Sequence, residues 1–192
     1  MTAERTAKPR LLPVIAPWSV ATVPSLKVYT SDGGQPESAT FVAYFRLDDR
    51  GDASCGDAIS YVSQPPEFEP ATVIEPAAYR LVRITFTGGK YVRISPAASE
   101  HQTIAEAEYD WSGVPGSPRP GEDIVHTLER DADYWLRTGT SPDPGAYEIE
   151  NSPWLAQLGQ DGFGLRHYLI LGEEEYVEVL AEGWAWEPGQ VV

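Results

Sequence analysis

Two apolar runs separated by a cluster of glutamates limit the fold of this chain more than any other stretch. Gly164-Leu165-Arg166-His167-Tyr168-Leu169-Ile170-Leu171 comes first, then Gly172-Glu173-Glu174-Glu175, then Tyr176-Val177-Glu178-Val179-Leu180-Ala181. Tyr, Val, Ile and Leu dominate both arms, as suits a pleated, half-buried surface. Three adjacent carboxylates resist burial, so they are expected to form a solvated turn between the arms. With Leu171 opposite Tyr176, the register sets Ile170 against Val177, Tyr168 against Val179 and Arg166 against Ala181. Side chains alternate along a strand, so this face reads as core. The other face, with Leu169–Glu178, His167–Leu180 and Leu165–Glu182, reads as mixed. The second arm is expected to run on through Trp184 and Trp186 and to stop at Pro188-Gly189. Those two indoles share a side, either as a lid on the core or as a contact surface.

A second hairpin is expected where Gly88-Gly89 separates Tyr79–Thr87 from Lys90–Ile94, because a two-residue primed turn needs positive φ at both positions. Arg80, Arg83, Lys90 and Arg93 make this the basic part of the molecule. Further strands are expected over 10–18 (an edge, given Pro13 and Pro17), 20–29, 40–47, 59–62 and 147–150. Residues 64–76, with four prolines, should run extended over the surface. Residues 97–111 read as helix, or as helix passing into strand. The principal helix is expected over about 123–137. Ile124, Val125, Leu128, Ala132, Trp135 and Leu136 form its apolar stripe, acidic residues open it, and Gly139 suits its C-cap. A short helix near 152–158 has Ser152 as cap and Pro153 in the first turn. The expected class is α+β: one or two mainly antiparallel sheets of about seven to nine strands with these two helices. Residues 1–10 read as a flexible tail and 11–192 as a single globular domain.

At 192 residues with 42% hydrophobic content the chain is long enough for a sizeable core. No apolar run reaches the 18 or so residues of a membrane span, and Leu11–Ala16, broken by Pro13, is too short for a secretory signal. A single cysteine, Cys55, rules out an internal disulfide and disfavours a cysteine-based metal site. The expected location is cytoplasmic. Charge is the strongest global constraint. The chain carries 14 Lys plus Arg against 29 Asp plus Glu, a net of -15, and residues 101–192 alone account for -14. Such a field repels nucleic acid and anionic membrane and attracts basic partners, although excess carboxylate also serves solubility.

Reactive-group motifs are sparse. His126, Glu129 and Asp133 fall within two helical turns and form a weak candidate for metal or acid–base chemistry, set against a solvated charged face. His167, among leucines, reads as a core histidine bonded to backbone or to Glu178, and His101 offers little. Asp48, Asp49, Asp52 and Asp57 crowd one loop without the alternating oxygen ligands of a calcium loop, so a weak cation site is the most they support. No nucleophile elbow, phosphate loop or dinucleotide fingerprint is present. No cofactor or metal is expected.

Gly89-Lys90-Tyr91, Trp135-Leu136 with Gly139, and Tyr147-Glu148-Ile149 resemble, over a minority of the chain, the second half of the effector-binding domains attached to AraC-type regulators. That resemblance implies a small α+β fold holding a cationic or aromatic ligand against a buried glutamate, with Glu148 in that role. Three functions follow from the sequence. The leading one is a non-enzymatic interaction protein, immunity- or inhibitor-like, that docks a basic protein through Glu173, Glu174, Glu175, Glu178 and Glu182. The second is an aromatic- or cationic-ligand binder using Trp135, Glu148, Trp184 and Trp186. The third is an enzyme using His126 with Glu129 and Asp133, or His167.

Overall fold

In the computed structural model, residues 7–20, 27–29, 38–45, 67–72, 78–88, 91–98, 103–119, 121–172 and 175–192 are described. They form two antiparallel sheets. The first places β1 (Arg10–Pro13), β7 (Ala146–Glu150), β8 (Arg166–Leu171), β9 (Glu175–Ala181) and β6 (Tyr91–Pro96) side by side in that order. The second runs β10 (Gly183–Val191), β5 (Ala78–Thr87), β4 (Ser38–Phe45) and β2 (Trp18–Val20), and β3 (Lys27–Tyr29) also pairs with β4. Two α-helices, α1 (Ile124–Thr138) and the short α2 (Pro153–Leu158), complete an α+β fold. The strands number ten among the described residues, one above the expected range. No described helix is long and apolar enough to cross a membrane.

Alternation explains how the sheets meet. Trp18, Phe41, Phe45, Val82, Ile84 and Phe86 of the second sheet pack against Tyr168, Ile170, Val177 and Val179 of the first. Such face-to-face packing of two sheets is the ordinary way to bury one side of each. The β8–β9 register is the one the sequence implies, from Arg166 opposite Ala181 to Leu171 opposite Tyr176. Trp184 and Trp186 both pack against this core, with Trp186 4.6 Å from Trp18 between ring centroids. The outer face of the first sheet is covered too. Leu11, Tyr147, Ile149 and Leu169 form a second cluster with Ile104 and Val114, which belong to the loop 103–119. That loop lies so close that a Cβ on Gly113 would sit 2.3 Å from the Leu11 carbonyl oxygen.

Four local expectations are corrected. The residues flanking Gly88-Gly89 do not pair with each other: β5 lies between β4 and β10, whereas β6 pairs with β9 in the other sheet. Gly88 does have the positive φ expected, +61°, so the turn chemistry holds at a corner rather than in a hairpin. Chain direction likewise changes at Glu182: β9 ends at Ala181, and β10 begins in the opposite sheet and runs past Pro188-Gly189 to Val191, with a register shift near Pro188. Within the described part of 97–111 a single 3-10 turn, Glu106–Glu108, forms in place of the helix, followed by an isolated parallel bridge from Asp110 to Arg10. The α1 stripe does not face the sheets. Ile124, Val125, Leu128 and Leu136 are exposed, while Thr127 is buried and Trp135 turns in to meet the Tyr44 ring edge-on at 6.4 Å. Arg130 fixes that orientation by bonding to Glu122, Asp131 and the Ser117 carbonyl.

The helix boundaries agree with their capping signals. Asp123 accepts from the Val125 N–H, and Gly139, at φ +69°, donates to the Trp135 carbonyl. At α2, the Ser152 hydroxyl accepts from the Leu155 N–H and Pro153 fills the first helical position. Arg10 opens β1, at the start of the expected edge strand. The expected strand at 59–62, the 48–57 aspartates, Cys55, His101, Glu173 and Glu174 lie outside the described residues.

Candidate functional site

Against the outer face of the first sheet lies a recess of about 200 Å³, walled by Trp154, Tyr109, Arg93 and Gln157 and reaching His167 and Glu178. Strand register creates its floor. Glu178 of β9 stands between Arg93 of β6 and Leu169 of β8, and His167 is one pleat away, opposite Leu180. Glu178 and His167 are 2% and 3% exposed, so neither the carboxylate nor the imidazole is solvated. A buried carboxylate needs a partner, and Arg93 supplies it, its Nε donating to Glu178 Oε2 at 2.6 Å. Arg93 in turn lies over the Trp154 ring, 4.5 Å from its centroid. Trp154 meets His167 edge-on at 5.4 Å and Tyr91 at 6.4 Å.

His167 is held from both sides. Its Nδ1 is 2.7 Å from the Ser152 hydroxyl. The same oxygen accepts from the Leu155 N–H. Nε2 lies 3.1 Å from Glu178 Oε1, yet it makes no aligned hydrogen bond. Burial pushes the Glu178 carboxyl up, but the His167 imidazole and the Arg93 guanidinium outweigh it and hold the group below its usual range. Tyr109 moves the other way. Burial, with the charges of Glu178 and Glu108 adding to it against Arg93, pushes its hydroxyl up to about 12.

Ser152, His167 and Glu178 are the residue types of a nucleophilic triad, but the serine does not serve as one here. Its oxygen caps α2, it is buried, and it does not line the recess. The set acts as a tether fixing α2 to β8 and β9.

The residues singled out from the sequence fall in different places. Trp184 and Trp186 pack in the core, Trp135 stands against Tyr44, and Glu148 pairs with Arg166 at 3.3 Å. These four do not converge. Of the glutamates assigned to a basic partner, Glu178 is buried, Glu182 is exposed beside Gly88, and Glu175 is half-buried. His126, Glu129 and Asp133 are all exposed on α1, where Asp133 sits 3.7 Å from Arg137. No group of three His, Cys, Asp or Glu side chains among the described residues is arranged to hold a metal ion.

Sequence reasoning missed Arg93, Trp154, Tyr109, Glu108 and Gln157 as neighbours. They come from three separate segments, β6, the 106–109 turn and α2, and only the β6–β9 register brings Arg93 to Glu178. The His167–Glu178 contact itself was readable, because the two fall one pleat apart on the same strand pair.

The outer face of α1 is the other surface of interest. Ile124, Val125 and Leu128 are 65%, 55% and 62% exposed, and Leu136 continues the same line. Glu129 and Asp133, both exposed, border this line on one side. Comparison of the chain with protein-family models, with curated proteins and with solved structures finds no match in any of the three.

Proposed function

We propose that this is a non-enzymatic interaction protein that docks a basic partner, in the manner of an immunity protein or inhibitor, and that α1 is the docking element. One observation carries the reading: a helix with its apolar line turned to solvent and a carboxylate border beside it. Isolated surface leucines need no explanation, but four large apolar side chains on one helical face mark an interaction surface. The charge of the back half selects the sign of the partner, since a -14 segment steers basic surfaces inward and turns acidic ones away. The surface first expected, 173–182, supports this less well because Glu178 is buried and already paired.

Affinity capture from lysate tests the proposal, with wild-type protein and an Ile124→Ser/Leu128→Ser variant compared at about 0.05 M and about 0.5 M salt. The expected result is a basic polypeptide retained by the wild type at low salt and lost with the variant or at high salt. Retention that is indifferent to both changes contradicts the proposal.

A further inference from the structure

The recess over His167 and Glu178 is separate from the α1 surface, and its chemistry points to a ligand of its own. We propose that it binds a small planar cation, a single ring bearing an amidinium or protonated amine. Size sets the first limit. An apolar cavity of about 150 Å³ holds benzene, so a recess of about 200 Å³ takes one ring with a small polar substituent and excludes a nucleotide. Shape sets the second. Trp154, Tyr109, Pro9 and Pro153 present flat, rigid walls that suit a ring better than a flexible chain.

Charge decides the sign. Two carboxylates, Glu108 and Glu178, line the recess against one guanidinium, Arg93. Arg93 is engaged by Glu178, its Nε donating at 2.6 Å, and Glu108 is the second carboxylate of the lining. The interior therefore favours positive charge. Burial raises the Tyr109 hydroxyl first, and Glu178 and Glu108 add to it against Arg93. Acceptors for a cationic donor are available too: the Gln157 side-chain oxygen at the rim and the Tyr109 hydroxyl oxygen.

A matched pair of probes separates this from an anion site built on Arg93. Benzamidinium and benzoate have nearly the same size and opposite charge, and both are titrated by calorimetry at pH 7. Saturable binding of benzamidinium, at least about tenfold tighter than benzoate, is expected. Gln157→Trp places a large side chain at the exposed rim and should abolish that binding. Glu108→Gln removes an exposed carboxylate without touching the core and should narrow the preference several-fold, which keeps the test decisive if the tryptophan variant misfolds. Benzoate binding as tightly as benzamidinium, absence of saturation with either probe, or a preference unchanged in Glu108→Gln overturns the proposal.

Discussion

Glu178 concentrates the electrostatics of the fold in one side chain. Its carboxylate is buried at the centre of the first sheet, yet the imidazole of His167 and the guanidinium of Arg93 keep it ionised. Its folded pKa lies below its usual value of 4.5. The group therefore contributes stability that is fully present above pH 4.5 and is lost as pH falls through the folded value. Tyr109 has the opposite sign at the alkaline end: its contribution is complete below pH 10 and is lost as pH rises through about 12. Glu178→Gln should cost about 1–3 kcal/mol at neutral pH. That is less than for a fully enclosed pair, because Arg93 is half exposed and rehydrates. Urea denaturation between pH 3 and 7 checks this, and the variant should lose stability more gently than the wild type as pH falls. An identical acid limb in both proteins contradicts it.

Among the elements, α2 shows how a six-residue helix is kept in place. So short a helix is not stable alone, and its anchor is Ser152, which caps it and grips His167 with the same oxygen. Ser152→Ala removes both contacts and should cost about 1–3 kcal/mol by chemical denaturation, whereas an exposed cap with no second role would cost about 1 or less. A loss below about 0.5 kcal/mol contradicts the tether. The capping chemistry that makes α2 and α1 was legible in the sequence, because Ser152-Pro153 and Asp123 with Gly139 act on their immediate neighbours. The β8–β9 register was legible for a related reason, since a slip by one residue would turn Tyr168, Ile170, Val177 and Val179 away from the core. The fate of Gly88-Gly89 was not legible. Turn residues specify local φ, but whether the following strand folds back or crosses to another sheet depends on which edge is open to it, and β9 offered one to β6. The α1 orientation failed for a similar reason. Trp135 met the Tyr44 ring and Arg130 the Ser117 carbonyl, and Ile124, Val125, Leu128 and Leu136 stayed exposed. The recess was hidden for want of long-range register: Arg93 and Glu178 meet only through the β6–β9 pairing, and Trp154 joins them from α2.

Over the whole molecule, the excess negative charge lies in the back half of the sequence. Basic residues of the front half cancel part of it, with Arg83 at 3.5 Å from Glu187 and Arg10 at 3.4 Å from Glu150. On α1 the exposed Glu129, and Asp133 at 3.7 Å from Arg137, lie beside an apolar line, so charge and hydrophobicity act on the same partner surface. Leu128→Asp tests that pairing because it shifts the two in opposite directions. It adds a negative charge, which tightens binding to any cation if bulk electrostatics alone is responsible, and it breaks the apolar line, which weakens binding if α1 is the docking face. The measurement is a titration of wild type and Leu128→Asp with an amphipathic helical peptide of leucine and lysine at about 0.1 M salt. The account predicts saturable wild-type binding that falls about tenfold or more in the variant. Binding that is equal or tighter in Leu128→Asp contradicts it.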